Sequence, residues 1–157
     1  MTVNITIATM DLSPAIADVL HQAFLEYEPL YTSQAFAITT PTAEQIQKRW
    51  DEGPVWAAMQ NEALVGTVSA VGKETSLYIR SMALLPSARG QGVGRALLEE
   101  VERFARENAF PRMFLSTTPF LTSAIRLYEN YGFRRTEAGP HDLSGTPLFT
   151  MEKILGR

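Results

Sequence analysis

Residues Arg89-Gly90-Gln91-Gly92-Val93-Gly94-Arg95 set three alternate glycines between an apolar run, Leu77 to Leu85, and an amphipathic stretch that reaches about Asn108. Pro86 stops the run, and Val93, Leu97, Val101 and Phe104 then recur at helical spacing, so the segment reads as strand, loop and helix. With Met113 to Thr117 as the next strand it makes a βαβ unit, which brings the carboxyl end of one strand against the amino end of a helix, where anions are favoured. Glycine permits positive φ and close backbone approach. Successive N–H groups here can converge on a phosphate, and the helix dipole adds about 0.3–1 kcal/mol for a negative charge. A dinucleotide loop would need glycine at Arg95, and an NTPase loop would need a lysine, so neither is supported. The same glycines also suit a plain connection in which Gly94 allows tight helix–sheet packing.

The remaining pattern surrounds this unit. Val3, Ile5 and Ile7 alternate with polar residues as a strand, and Ser13–Pro14 reads as cap and first turn of a helix carrying Ile16, Val19, Leu20 and Phe24. Glu28 to Thr39 looks irregular, and Thr40–Pro41 opens a second short helix ending near Gly53. Val55–Gln60 and Leu64–Val71, split by Asn61–Glu62, form a hairpin. On the glycine-loop helix, Glu99–Arg103 and Glu102–Arg106 are i,i+4 pairs on the wet side. Thr122 to Tyr131 reads as a helix, and Phe133–Glu137 and Leu148–Leu155 as closing strands around a turn-rich loop at 139–145. The expected fold is α/β: one domain over residues 1–157, with a mixed sheet and helices on both faces.

Composition removes several function classes. The 157 residues include no cysteine, which excludes thiolate nucleophiles, disulfides and Cys-ligated zinc, and the two histidines lack metal-site spacing, so no metal is expected. A net charge of −3 argues against nucleic-acid binding. No basic leader with an apolar core and no membrane-length apolar run is visible, so a cytoplasmic protein is expected, without membrane partners.

Met82-Ala83-Leu84-Leu85-Pro86 ahead of the glycine loop resembles the acyl-CoA-binding motif of the GNAT superfamily of N-acyltransferases, whose Gln/Arg-x-x-Gly-x-Gly/Ala pattern falls on Arg89, Gly92 and Gly94. A second motif follows at Ala124-Ile125-Arg126-Leu127-Tyr128-Glu129-Asn130-Tyr131-Gly132-Phe133. The resemblance covers about residues 77–135. It implies a mostly antiparallel sheet with one splayed parallel pair and acetyl-CoA as cosubstrate, its pyrophosphate on the N–H groups of Gly90, Gln91, Gly92, Val93, Gly94 and Arg95. It further implies that the pantetheine arm runs along Met82, Ala83 and Leu84, with Thr117 and Ser123 as further contacts and the Leu84 N–H polarising the thioester carbonyl. The turn departs from the commonest family pattern at Thr118 and Leu121, where Asn is frequent.

Tyr128 has two readings. Ala124, Leu127, Tyr128 and Tyr131 form the buried stripe of a helix, with Gly132 as its C′ residue and Phe133 packing back on Tyr128. The family resemblance makes Tyr128 the acid that protonates the departing thiolate, and a ring packed at the helix end can still turn its hydroxyl into a pocket. Tyr131 does not match that position.

The acceptor must lose a proton before it attacks. A lysine-like amine is only about 0.04% neutral at pH 7 and an α-amine roughly 10–17%, so the need for a base depends on the acceptor. Glu26, Glu28, His21 and His141 are the base candidates, and the strand Leu77–Leu85 carries no acid. Tyr27, Tyr31 and Phe36 are expected to line an apolar acceptor pocket, with Glu26, Glu28 and Asp142 able to attract a cation. The expected activity is direct N-acetyl transfer to a small-molecule or peptide amine, by a monomer or homodimer. The alternative is a catalytically silent acyl-CoA-binding module.

Overall fold

The computed structural model describes residues 2–139 and 141–156; Pro140, within the loop expected at 139–145, lies outside the described residues, as do the two terminal residues. β1 (Asn4–Ile7) leads through a 3₁₀ turn at Met10–Leu12 into α1 (Ser13–Phe24). Pro14 sits in the first turn as expected, but Ser13 is no cap. Its Oγ donates to the Met10 carbonyl at 2.7 Å, and the 3₁₀ turn runs straight into the helix in place of a side-chain cap.

The stretch expected to be irregular holds a 3₁₀ segment, Leu25–Leu30, and a true helix, α2 (Ser33–Thr39). Thr32 starts that helix by accepting the Ala35 N–H at 3.1 Å, and Ala35 and Phe36 face inward. α3 (Ala43–Lys48) opens on a capping box between Thr42 and Gln45, slightly later than the Thr40–Pro41 expectation.

β2 (Val55–Gln60) and β3 (Ala63–Lys73) form the expected hairpin, with Asn61 and Glu62 at φ 54° and 66°, the twist that a two-residue turn requires. β4 (Ser76–Leu84), α4 (Val93–Glu107), β5 (Arg112–Thr117), α5 (Thr122–Asn130), β6 (Arg134–Arg135), β7 (His141–Leu143) and β8 (Thr146–Ile154) complete the order. Where the sequence predicts only a turn-rich loop, β7 forms, and Ser144 and Gly145, at φ 48° and 96°, close a second two-residue hairpin there.

The sheet runs β1-β2-β3-β4-β5-β8-β6, with β7 also on β8, and every pairing except β4–β5 is antiparallel. Strand alternation divides its two faces. Trp56, Ala58, Leu77, Ile79, Met113 and Leu115 pack with Val93, Leu97, Val101 and Tyr128 of α4 and α5. Ala57, Leu64 and Ala83 pack with Ile16, Leu20 and Ala23 of α1 and Ile46 of α3 on the other face. The mixed sheet with helices on both faces is therefore as expected.

The outer side of α4 differs in detail. Arg106 pairs with Glu102 at 2.8 Å, but Arg103 reaches Glu100 and Glu99 faces Arg95, because Arg95 lies one turn earlier on the same helix row. Glu102 is not on a wet face. Its side chain is 15% exposed and also binds Lys153 of β8 at 2.8 Å.

β4 carries one extra residue against β3: Thr67 pairs with Ala83 and Ser69 with Arg80, so three steps on β4 match two on β3. Ser81 takes up the slack at φ 57°, a region that costs a non-glycine residue about 1–2 kcal/mol. Ser81→Gly is expected to leave stability within about 1 kcal/mol, relieved strain offsetting a lost side-chain hydrogen bond, whereas Ser81→Val, β-branched at positive φ, is expected to cost about 1–3 kcal/mol. Urea unfolding of the two variants checks this.

Candidate active site

β4 and β5 pair only from Ser76 to Tyr78 and from Arg112 to Phe114; beyond that the strands part. β3 meanwhile follows β4 to Leu84, so β4 stays held on one edge and open on the other. The Leu85 N–H donates to Val65 O at 2.8 Å, which makes Leu84–Gly66 the non-hydrogen-bonded pair next to it. The Leu84 N–H consequently points away from β3, into the gap.

A cavity of about 410 Å³ occupies this gap. Met82, Ala83 and Leu84 form its strand wall, Arg89, Gly90, Gly92, Val93, Gly94 and Arg95 one end, and Leu121, Ser123, Ala124, Leu127 and Tyr128 the side toward α5. Ala23, Phe24 and Tyr27, from the end of α1 and the segment after it, close the remaining side. Of these, Ala23 and Phe24 were not expected at the site, although the C-terminal end of an amphipathic helix is where such a signal would lie.

The glycines divide between two jobs. Gly90 and Gly92 sit at φ 76° and 82°, where an added Cβ would meet nothing within 4 Å, so they serve the backbone shape. Gly92 is also the N-cap of α4 and offers no side chain to it, so the first-turn N–H groups stay available beside the cavity. Gly94 serves packing. A Cβ there would lie 2.7 Å from Leu127 Cδ2 and 3.6 Å from both Leu84 Cδ1 and Met82 Cε.

Arg89 is committed elsewhere in part: its guanidinium donates to Glu26 Oε1 at 2.7 Å and to Ala23 O at 3.1 Å, tying the loop to the end of α1. Two expected contacts are absent from the wall. Gln91 is exposed and donates to Ser87 O at 2.9 Å, and Thr117 is buried on the sheet face that carries Met113 and Leu115.

Tyr128 is 8% exposed and reaches the cavity wall from within the core. The Phe133 N–H donates to Tyr128 O at 2.9 Å and the Gly132 N–H to Glu129 O at 3.0 Å, with Gly132 at φ 104°, which is the Schellman closure expected from the sequence. The Phe133 ring packs 6.0 Å from the Tyr128 ring. Burial, with the neighbouring Tyr31 adding to it, pushes the Tyr128 phenol up to about 12. Tyr128 is therefore a packed core residue that also borders the cavity. Tyr131 is outside the wall, its ring held between Lys153 at 4.1 Å and Arg95 at 5.1 Å.

No carboxylate or imidazole lines the cavity among the described residues. Glu26 is paired with Arg89, Asp142 accepts the Gly145 N–H, His141 Nε2 meets Thr150 Oγ1 at 3.0 Å, and His21 packs edge-on against Phe36. Of the aromatic residues expected near the acceptor, Tyr27 reaches the wall, while Tyr31 and Phe36 are buried together, with Phe120 against Tyr31 at 4.9 Å. Burial raises the Tyr31 phenol, and the nearby hydroxyls of Thr118 and Thr39 partly offset that. Thr118 Oγ1, buried beside Tyr31, has no partner in hydrogen-bond geometry among the described residues.

Comparison with known proteins agrees with this geometry. The model of the acetyltransferase (GNAT) family matches residues 18–133. The chain is 30% identical over 135 residues to the uncharacterized N-acetyltransferase YjgM of Escherichia coli (strain K12), covering 82% of this chain and 80% of that protein. It is 32% identical over 102 residues to N-acetylaspartate synthetase of Danio rerio, covering 63% of this chain but only 36% of that longer protein. Among solved structures, the PaiA N-acetyltransferase of Thermoplasma acidophilum, in complex with coenzyme A, shares the fold at a TM-score of 0.82 and 16% identity, covering 98% of this chain and 99% of that one. The ribosomal-protein-S18-alanine N-acetyltransferase of Escherichia coli does so at 0.78 and 16%, covering 99% and 96%.

The Gly94 contact has a direct test. Gly94→Ala is expected to lower stability by about 1–3 kcal/mol, and by clearly less in a Leu127→Ala background where the opposing methyl is gone. Urea denaturation of the single and double variants measures that coupling.

Proposed function

The chain belongs to the acetyltransferase (GNAT) family of N-acetyltransferases, and from that premise we propose that residues 1–157 act as one domain transferring the acetyl group of acetyl-CoA directly to a primary amine in a ternary complex. The observation that carries this reading is the cavity between the parted strands, with the amino end of α4, uncapped by any side chain, at one end and a buried phenol at its side.

The residues present fit an acyl-CoA. The N–H groups of Gly90 to Arg95 suit a diphosphate, because the helix amino end and the positive-φ glycines leave donors and space for it. The open edge of Met82–Leu84 suits an extended amide arm that bonds as an added strand does. When bound there, acetyl-CoA supplies the reactive thioester.

This chain's own groups then divide the work. The Leu84 N–H, turned into the gap, polarises the acyl oxygen; donors of this kind are worth about 2.7–4 kcal/mol in the transition state. Tyr128 gives its proton to the departing sulfur. In water a phenol near 12 is a weak acid for a thiolate, but the burial that raises the phenol also penalises an unprotonated thiolate, so both anions are disfavoured within the site. With no cysteine in the chain, a thioester intermediate on the protein has no carrier, which favours direct transfer. The lack of a base in the described wall is the observation favouring a silent acyl-CoA-binding module; binding of acetyl-CoA without thiol release across a broad amine panel would select it.

Tyr128→Phe is expected to lower kcat by about 10²–10⁴-fold while acetyl-CoA affinity stays within about twofold. Deprotonation of Tyr128 would remove the acid, so with its phenol at about 12 the wild-type kcat should show no fall from this group between pH 7 and 10. Thiol release and calorimetry measure both quantities.

A further inference from the structure

A cationic cluster sits on β4 just before the cavity wall, and the transfer as described makes no use of it. The bulge sets two successive side chains, Arg80 and Ser81, toward the same small void beneath α1 and α3, and Arg49, directly after α3, meets them there. Arg49 Nη2 donates to Ser81 Oγ at 3.1 Å. Arg80 Nη2 pairs with Glu52 Oε1 at 2.7 Å. The void is only about 20 Å³, room for one water, so a larger anion can engage only the outer guanidinium edges.

The charges do not balance. Glu52 answers Arg80, but among the described residues Arg49 has no carboxylate within ion-pair distance although it is half-buried. Burial and the charge of Arg80 both press on the Arg49 guanidinium, and Glu52 offsets only part of that. Arg80 Nε is fully buried with no hydrogen-bond partner among the described residues. Each guanidinium carries five N–H donors, and the described side-chain hydrogen bonds engage one nitrogen of each. A half-buried cation without a counter-charge is costly unless an anion completes it, and guanidinium groups suit a carboxylate through paired hydrogen bonds.

We propose that Arg49 and Arg80 bind the carboxylate of the acceptor, so that this enzyme acetylates amino acids and related amines bearing a carboxylate near the nitrogen. This rests on the acetyl-transfer reading. Position supports it: Arg80 and Ser81 lie on the α1 side of β4, the side from which Ala83, Ala23 and Phe24 reach the cavity wall, a few residues along the same strand. Chemistry supports it as well. Neutralising the carboxylate withdraws the charge that keeps a zwitterion's ammonium protonated, which eases loss of the proton where the described wall offers no base.

The test compares thiol release from acetyl-CoA with the standard L-amino acids and with the corresponding L-amino acid amides. Acids are expected to exceed their amides at least tenfold in kcat/KM. Arg49→Gln is expected to raise KM for the acids at least tenfold, with a smaller change in kcat, unaltered use of amides and unaltered acetyl-CoA affinity by calorimetry; Arg49→Lys should restore part of the loss. Independently of turnover, N-acetyl-L-amino acids should raise the melting temperature of the CoA-saturated wild type and not of Arg49→Gln. Arg49 breaks no ion pair when replaced, so this variant decides the matter even if Arg80→Gln fails to fold. Amides used as well as acids, acids unused while acetyl-CoA still binds, or a variant that loses both substrates equally would overturn the proposal. Wild-type protein that binds no acetyl-CoA would refute the transfer reading itself.

Discussion

The site depends on a failure to pair. β4 and β5 are hydrogen-bonded neighbours for three residues and then diverge, although buried backbone N–H and C=O groups are almost always satisfied in folded proteins. The open edge persists because β3 holds the opposite edge of β4 to its end, and because Gly94 lets α4 lie close to α5 and β4. A polar strand edge facing a cavity is stable only when something else supplies its hydrogen bonds, and an amide-containing ligand or ordered water can do so.

Around that edge, positions are set by backbone more than by side-chain choice. The Schellman closure at Gly132 fixes where α5 ends and hence where the Tyr128 ring sits, and Phe133 packs against it. Behind Tyr131, Glu102 joins Lys153 and Arg106, linking α4 to β8 away from the cavity. Arg89 carries the arginine of the family pattern, yet its guanidinium serves α1 through Glu26 and Ala23. A short motif thus mixes glycines that shape the loop beside the cavity with an arginine tied to the scaffold.

Local signals in the sequence were legible where one cause dominated. The Asn61–Glu62 turn, the α4 stripe and the α5 end each follow from a periodicity or a glycine acting within a few residues, and all three are as expected. α2 was not legible because its cap, Thr32, lies in a run of polar and aromatic residues that hides the short apolar pair Ala35–Phe36. β7 was hidden likewise: Ser144–Gly145 is a hairpin signal, but only two or three residues flank it. For the site, the strand wall and glycine loop could be read as a contiguous stretch. Ala23, Phe24 and the Arg49–Arg80 cluster could not, because they arrive from distant parts of the chain and depend on how α1 and α3 cross the sheet.

The bulge at Ser81 also decides sidedness. In an unbroken strand side chains alternate, and Arg80, Met82 and Leu84 would share one face. With one residue added, Arg80 belongs to the α1 side while Met82 and Leu84 contact the core on the α4 side. The extra residue therefore acts as a phase shift, letting one short strand present a charged residue to one compartment and its next apolar residues to the other. Removing it would exchange their addresses without altering any of their identities.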